Sequence, residues 1–173
     1  AYEGAYVKAP QKGKHKWIVS FDLNSLYPHL IMQYNISPET ILGTWQDEIG
    51  VEGLLKKEFD TSIWKEKDIT VTPNGSVYRR DKQGFLPKLM ESMYNDRVKY
   101  KKLMLAEQKK GRNADPNKLS QYYNYQQNLK IALNSAYGAM GNQWFRFYDE
   151  RNAEAVSVAG QLSVQWAENA VNS

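Results

Sequence analysis

A chain of 173 residues with 42% hydrophobic and 13% aromatic side chains can bury a core, which excludes intrinsic disorder. The absence of cysteine excludes a disulfide scaffold and thiolate metal centres, and no apolar run approaches the roughly 18 residues that span a bilayer. With no charged-then-apolar leader, a soluble chain in a reducing, intracellular setting is the expectation, and Ala1 in place of Met is what a processed or excised chain would carry. The net charge of +4 is unevenly spread: from Arg79 to Arg112 there are eleven Lys or Arg against four acids. Such a run is either a solvated face or a phosphate-binding surface for nucleotide or nucleic acid.

Residues 1–16 read as an irregular entry segment. "WIVSFDL", Trp17 to Leu23, is β-branched and aromatic and predicts a buried strand. Between Ser25 and Tyr34 the residues Leu26, Tyr27, Leu30, Ile31 and Tyr34 recur at helical spacing, with Pro28 in the first turn where it is tolerated. Asp22 thus falls at a strand-to-helix junction. "NISPET" ends that helix, and residues 40–68 have no clear period. "ITVTPNGSVYRR" alternates around Asn74-Gly75 and predicts a hairpin with a type I′ turn. Residues 88–110 form a long helical pattern, "GRNADPNK" breaks it, and a second helix is expected from about Leu119 to Tyr137, ending at Gly138. An eight-residue connection makes these an antiparallel pair, and a third helix runs from Asn152 onward. The order of elements predicts an α+β or α/β domain interrupted by a helical hairpin.

Spacing on the second helix places Lys130, Asn134 and Tyr137 on one face over two turns. On the first, Arg97 and Lys101 are an i, i+4 pair of cations that repel unless an anion or solvent lies between them. Paired helices could present these cations to one triphosphate, although each cation taken alone better suits a solvated face. A helix starting near Ser25 aims unpaired N–H groups at its N-terminal turn, a favoured phosphate position. Asp22 beside it could hold a divalent cation bridging phosphate oxygens, or could be no more than a strand end or helix cap. One carboxylate is in any case incomplete, because a two-metal site holds its ions about 3.5 to 4 Å apart with further carboxylates.

"DLNSLYP" at 22–28 resembles motif A of family B DNA polymerases, Asp-x-x-Ser-Leu-Tyr-Pro, and "KIALNSAYGAMGN" at 130–142 resembles their motif B, Lys-x-x-x-Asn-Ser-x-Tyr-Gly. "PNGSVYRRDKQGFLP" at 73–87 is similar to the hairpin before the family's fingers. "YEGAYVKAP", "NISPETI" and "NQWFRFYDERNA" extend the similarity toward the replicative polymerases of T-even-type bacteriophages, over nearly the whole chain except 44–68. The resemblance implies an α+β fold: a palm-type sheet with packed helices over 1–84, a two-helix fingers insertion over 85–141, and resumption of the palm over 142–173. It implies Asp22 as a catalytic metal ligand and the Leu23 carbonyl as a backbone ligand. Ser25 and the Leu26 amide would contact the triphosphate, and Tyr27 would lie under the deoxyribose and exclude a 2′-hydroxyl. Arg97, Lys101, Lys130 and Asn134 would form the triphosphate-binding face, Tyr137 and Gly138 would lie against the nascent base pair, and Tyr2 and Gly4 would contact the template.

The departures are informative. His29 stands where the family usually has Ser, Ala136 where Leu is common, and Ala5 loosens the template-contacting element. The Asp-Thr-Asp of motif C is missing, and the acids after motif B (Asp149, Glu150, Glu154, Glu168) lie in unsuitable contexts. Neither a proofreading exonuclease nor a thumb is expected within these 173 residues. The resemblance therefore implies a polymerase segment, inactive alone, with primer–template DNA, dNTP and two Mg²⁺ ions as partners. Motif C, thumb and exonuclease would be supplied elsewhere on the same polypeptide or by another chain, in the cytoplasm of an infected bacterial host, with no membrane partner. The rival is a non-catalytic nucleic-acid-binding module. A P-loop or dinucleotide enzyme fails for want of either glycine motif, and Tyr27 argues against an RNA polymerase or reverse transcriptase.

Overall fold

The computed structural model describes residues 4–45 and 49–172. In chain order it contains α1 (Leu26–Tyr34), β1 (Ile41–Thr44), α2 (Gly50–Leu55), α3 (Ser62–Glu66), β2 (Ile69–Val71), β3 (Ser76–Arg79), α4 (Phe85–Gln108), a 3₁₀ turn (Gly111–Asn113), α5 (Pro116–Met140) and α6 (Glu150–Asn172). This is the expected mixture of helix and strand, an α+β chain. The sheet is small and antiparallel, in the order β1-β3-β2.

Local chemistry accounts for most of the boundaries. Pro28 sits in the first turn of α1, and Asn35 ends that helix in the left-handed region at φ 59. The Asp115 carboxylate accepts the N–H groups of Asn117 at 2.9 Å and Lys118 at 3.3 Å, and Pro116 follows at the first helical position of α5. Gly138 does not stop α5, which runs on to Met140 and ends at Gly141 with φ −85. An interior glycine costs a helix only about 1 kcal/mol, which a helix packed along its length absorbs.

The hairpin forms where it was expected, with a different turn. A type I′ turn needs positive φ at both central residues, whereas only Gly75, at φ 79, is left-handed in this turn. Pro73 fixes a negative φ, the Gly75 N–H donates to the Thr72 carbonyl at 2.8 Å, and the Thr72 N–H donates to the Ser76 carbonyl at 3.0 Å. The connection is thus a three-residue loop ending in a left-handed glycine. The Asn74 side chain accepts from the Thr72 hydroxyl and the Ser76 amide, and donates to the Arg151 carbonyl and Glu154 on α6.

The largest departure concerns Trp17 to Leu23. This stretch joins no strand ladder among the described residues, and Trp17, Ile18, Val19 and Phe21 are strongly exposed. High β-propensity expresses a fit to a pleated, half-buried surface and forms no strand without a neighbour to accept its hydrogen bonds.

The main core joins five elements: Ile31 of α1, Tyr78 of β3, Leu86 and Met90 of α4, Leu133 and Met140 of α5, and Ala155 and Val156 of α6. Tyr78 is fully buried and its hydroxyl donates to the Asn152 side chain at 2.7 Å, tying the sheet to α6; burial pushes its phenol well above the usual range. A smaller cluster of Ile49, Val71 and Val77, with Trp45 and Trp64 packed against it, organises the stretch whose period was unreadable.

Asn35 is the joint between α1, the sheet and α4. Its side-chain N–H groups donate to the carbonyls of Arg79 at 2.7 Å and Lys82 at 2.9 Å, and its oxygen accepts the Gly84 N–H at 2.8 Å. A Cβ on Gly84 would fall 2.6 Å from that of Ser37, so only glycine allows this approach. The Ser37 hydroxyl and Glu39 carboxylate then accept the Leu86 and Phe85 N–H groups at the start of α4.

Asn35→Ala removes three hydrogen bonds to the backbone, one of them to the buried Gly84, and places alanine in a left-handed conformation. It is expected to lower the unfolding free energy by about 3 kcal/mol in urea titrations, while Asn35→Gly, which relieves the backbone, is expected to lose about 2 kcal/mol. At the tip of the helical hairpin, Glu107 accepts the Asp115 N–H at 2.8 Å and pairs with Lys110 at 2.7 Å. The Asp115 N–H, then Lys110, hold its carboxyl below the usual range, so its contribution is present above the unfolded pKa and disappears as pH falls through the lower folded one. Amide protection over 109–116, corrected for intrinsic exchange, should drop below about pH 4, and Glu107→Gln should flatten that dependence.

Candidate functional site

Ser25 immediately precedes α1 and is itself left-handed, at φ 53 and ψ 46. Its hydroxyl does not cap the helix; it accepts from Nη1 of Arg97, on α4, at 3.2 Å. Its carbonyl accepts the His29 N–H at 3.1 Å and lies 2.9 Å from Nδ1 of His29. A carbonyl can only accept, so Nδ1 carries the proton in that contact. The His29 ring is set edge-on against Tyr94 of α4, with ring centres 4.6 Å apart. Substitution of the family's usual Ser by His therefore adds a second brace between the turn and α4. With no side-chain cap and no acid in its first turn, α1 leaves its first N–H groups open to an anion.

The N-terminal turn of α1 faces α5 across a cleft of about 470 Å³. Ser25, Leu26, Tyr27 and Pro28 line one side, and Leu133, Asn134 and Tyr137 the other. The Tyr27 and Tyr137 rings meet at 4.5 Å with planes 58° apart. The Tyr137 hydroxyl shares a 2.6 Å hydrogen bond with the buried Ser157 hydroxyl of α6, so three helices converge on this pair. Burial, then the neighbouring Tyr137, raises the Tyr27 phenol above its ordinary value.

Five of the residues singled out in sequence, Ser25, Leu26, Tyr27, Asn134 and Tyr137, thus border one cavity, and Arg97 reaches it through Ser25. The Arg97 Nε is buried and has no protein partner among the described residues. Lys101 and Lys130 are exposed on α4 and α5, and Gly138 is exposed on α5. Asp22 is exposed on the unpaired stretch before α1. Leu23 lines a different and larger open groove of about 1200 Å³, chiefly apolar, bordered by Leu26, Leu30, Leu54, Trp64 and Trp166. The Gly4 carbonyl accepts from the Gln161 side chain of α6 at 2.6 Å. Tyr2 lies outside the described residues.

Among the described residues no three His, Asp or Glu side chains converge in a metal-binding group. One carboxylate at Asp22 and one carbonyl at Leu23 are hard oxygen donors suited to a single Mg²⁺ shared with substrate phosphates, and they do not suffice for a pair of ions. Ser157, Gly160 and the ring contact of His29 escape a reading of the sequence. Small residues three apart on a helix are visible in "SVAG", but nothing in the letters says that Tyr27 and Tyr137 pack there.

Comparison with known proteins extends over the whole of this geometry. The family model "DNA polymerase family B" matches residues 1–173. The chain is similar to the DNA-directed DNA polymerase of Escherichia phage RB69, at 34% identity over 99% of this chain and 24% of that protein. It is similar to the enzyme of the same name from Enterobacteria phage T4, at 31% identity over the same shares, and to DNA polymerase 1 of Pyrococcus abyssi, at 34% over 93% of this chain and 18% of that protein. The chain spans about a quarter of the length of these phage relatives. By motif, by extent of match and by relatives, it belongs to DNA polymerase family B.

Proposed function

We propose that this chain is the palm-and-fingers segment of a bacteriophage DNA polymerase, binding dNTP, Mg²⁺ and primer–template DNA for nucleotidyl transfer. The observation that carries the reading is the cleft between the uncapped turn of α1 and the Asn134–Tyr137 face of α5, with Arg97 held at its edge by Ser25. Two separate sequence motifs contribute its two walls. In this reading 1–84 is the first part of the palm, 85–141 the fingers and 142–173 the resumed palm, and the setting is the cytoplasm of an infected bacterium.

The chemistry follows from charge and shape. A triphosphate is drawn by Arg97, Lys101 and Lys130, with Asn134 adding a neutral hydrogen bond, and its oxygens meet the N–H groups of Ser25 and Leu26. Tyr27 then lies under the sugar, where its ring leaves no space for a 2′-hydroxyl, while Tyr137 and Gly138 meet the new base pair. Tyr2 and Gly4 hold the template. Asp22 and the Leu23 carbonyl would hold Mg²⁺, which when bound offsets charge at the attacked phosphate. The primer 3′-oxygen forms a bond to the α-phosphorus as the bond to the β-phosphate oxygen breaks, and pyrophosphate leaves with that electron pair. Movement of the α4–α5 pair toward α1 would couple nucleotide fit to assembly of the site. Since no further carboxylate joins Asp22 in a metal-binding group among the described residues, the reading has motif C supplied from outside them, with thumb and exonuclease as the other regions of a complete enzyme.

Titration of the chain with Mg²⁺–dNTP, followed by tryptophan fluorescence, tests the reading. Lys130→Ala is expected to weaken binding by about 2 kcal/mol, roughly thirtyfold, and Asp22→Asn to remove its Mg²⁺ dependence. Salt-sensitive DNA binding indifferent to dNTP and to both substitutions would instead favour a non-catalytic nucleic-acid-binding module. In primer extension the isolated chain is expected to be inactive; Mg²⁺-dependent synthesis by these 173 residues alone would overturn the dependence on a second carboxylate.

A further inference from the structure

Beneath the Tyr27 ring lies a residue that no motif singles out. Gly160, buried on α6, has no side chain, and a Cβ built there would lie 2.9 Å from Cε1 of Tyr27, 3.7 Å from its Cδ1 and 3.8 Å from Cδ1 of Leu30. A separation of 2.9 Å is shorter than real Cβ contacts allow, and the step to 3.7 Å at Cδ1 shows that the Cε1 edge of the ring, rather than its face, abuts the helix at Gly160. Its flank is closed by Tyr137, 4.5 Å away, whose hydroxyl is fastened to Ser157 on the same α6 face, three residues before Gly160. The remaining open side of the ring is the cleft it lines. A methyl group at 160 therefore displaces the Cε1 edge of Tyr27, and with Tyr137 on its flank the cleft is an open side into which the ring can shift.

We propose that Gly160 is a specificity-determining residue: it sets the level of the Tyr27 ring and so fixes how strictly the site separates deoxyribonucleotides from ribonucleotides. The inference rests on the reading of Tyr27 as the residue under the sugar. Alanine is a better helix former than glycine, so Gly160→Ala does not weaken α6 in itself, and its effect is concentrated in the ring. Raising the ring tightens exclusion of the 2′-hydroxyl and encroaches on the deoxyribose as well, so discrimination rises while deoxyribonucleotide affinity falls. Gly160 touches no nucleotide and acts only through Tyr27.

The test is a double-mutant cycle on the 173-residue chain with primer–template DNA and Mg²⁺, reading the dissociation constants of dCTP and CTP. The native chain is expected to prefer dCTP, Gly160→Ala to raise that preference about tenfold, and Tyr27→Ala to abolish it with or without Gly160→Ala. A native preference that depends on Tyr27 but is unmoved by Gly160→Ala in a folded protein overturns the role of Gly160 alone. So does an effect of Gly160→Ala that persists in the Tyr27→Ala background. A native chain with no preference, or with no nucleotide binding, overturns the reading of Tyr27 and the role of Gly160 together. If Gly160→Ala unfolds by circular dichroism, adding Tyr27→Ala removes the clashing ring and is expected to restore the fold; failure to restore it overturns the contact.

Discussion

Two left-handed residues bracket α1, and the site depends on both being held. Ser25 at φ 53 and Asn35 at φ 59 lie in a region that costs an L-residue about 1 to 2 kcal/mol, with asparagine the more tolerant. Neither is glycine, so each is kept there by what it touches. Asn35 exchanges hydrogen bonds with Arg79, Lys82 and Gly84, and Ser25 with Arg97 and His29. The first set ties the helix to the end of β3 and the start of α4; the second ties its other end to a point further along α4. A nine-residue helix pinned at both ends to one neighbour has little freedom to rotate, and its first-turn N–H groups keep a fixed aim.

Much of this was legible in the sequence because it rests on local chemistry. Asn74-Gly75 announces a hairpin and Asp22 through Pro28 a turn feeding a helix, whereas Asp115-Pro116, read as part of the break before a helix from about Leu119, caps and starts α5. What escaped depends on partners distant in the chain. The type of hairpin turn follows from Pro73, which has no N–H to pair with Ser76 across a two-residue turn, so Thr72 makes that bond instead. Gly138 looked like a stop, but α5 runs through it, with Leu133 and Met140 in the core on either side. The described parts of 40–68 pack around a cluster of Ile49, Val71 and Val77, contributed by segments too short to show a period.

Small residues of α6 carry a part of the site that patterning could not reveal. Ala153, Ala155, Ala159 and Gly160 are all buried, which lets α1 approach the helix backbone closely enough for Tyr27 to rest on it. A stripe of small residues says that something comes near; only the fold identifies it as the aromatic ring at the mouth of the cleft.

The same geometry separates two tasks that the motifs run together. On its C-terminal side the stretch carrying Asp22 is anchored by Ser25, whereas on its N-terminal side Trp17 to Phe21 have no strand partner among the described residues and expose their apolar side chains. The open groove bordered by Leu23, Leu54 and Trp166 is a second apolar surface left uncovered by the described residues. A carboxylate is only as well placed as the backbone on both sides of it, and transition-state stabilisation depends on groups being aimed before charge develops. The cleft between α1 and α5 is braced by packed helices within this chain, which on the proposed reading is where triphosphate and sugar are recognised. On the proposed reading, Asp22 is the less firmly placed of the two, because the stretch that carries it pairs with no strand among the described residues.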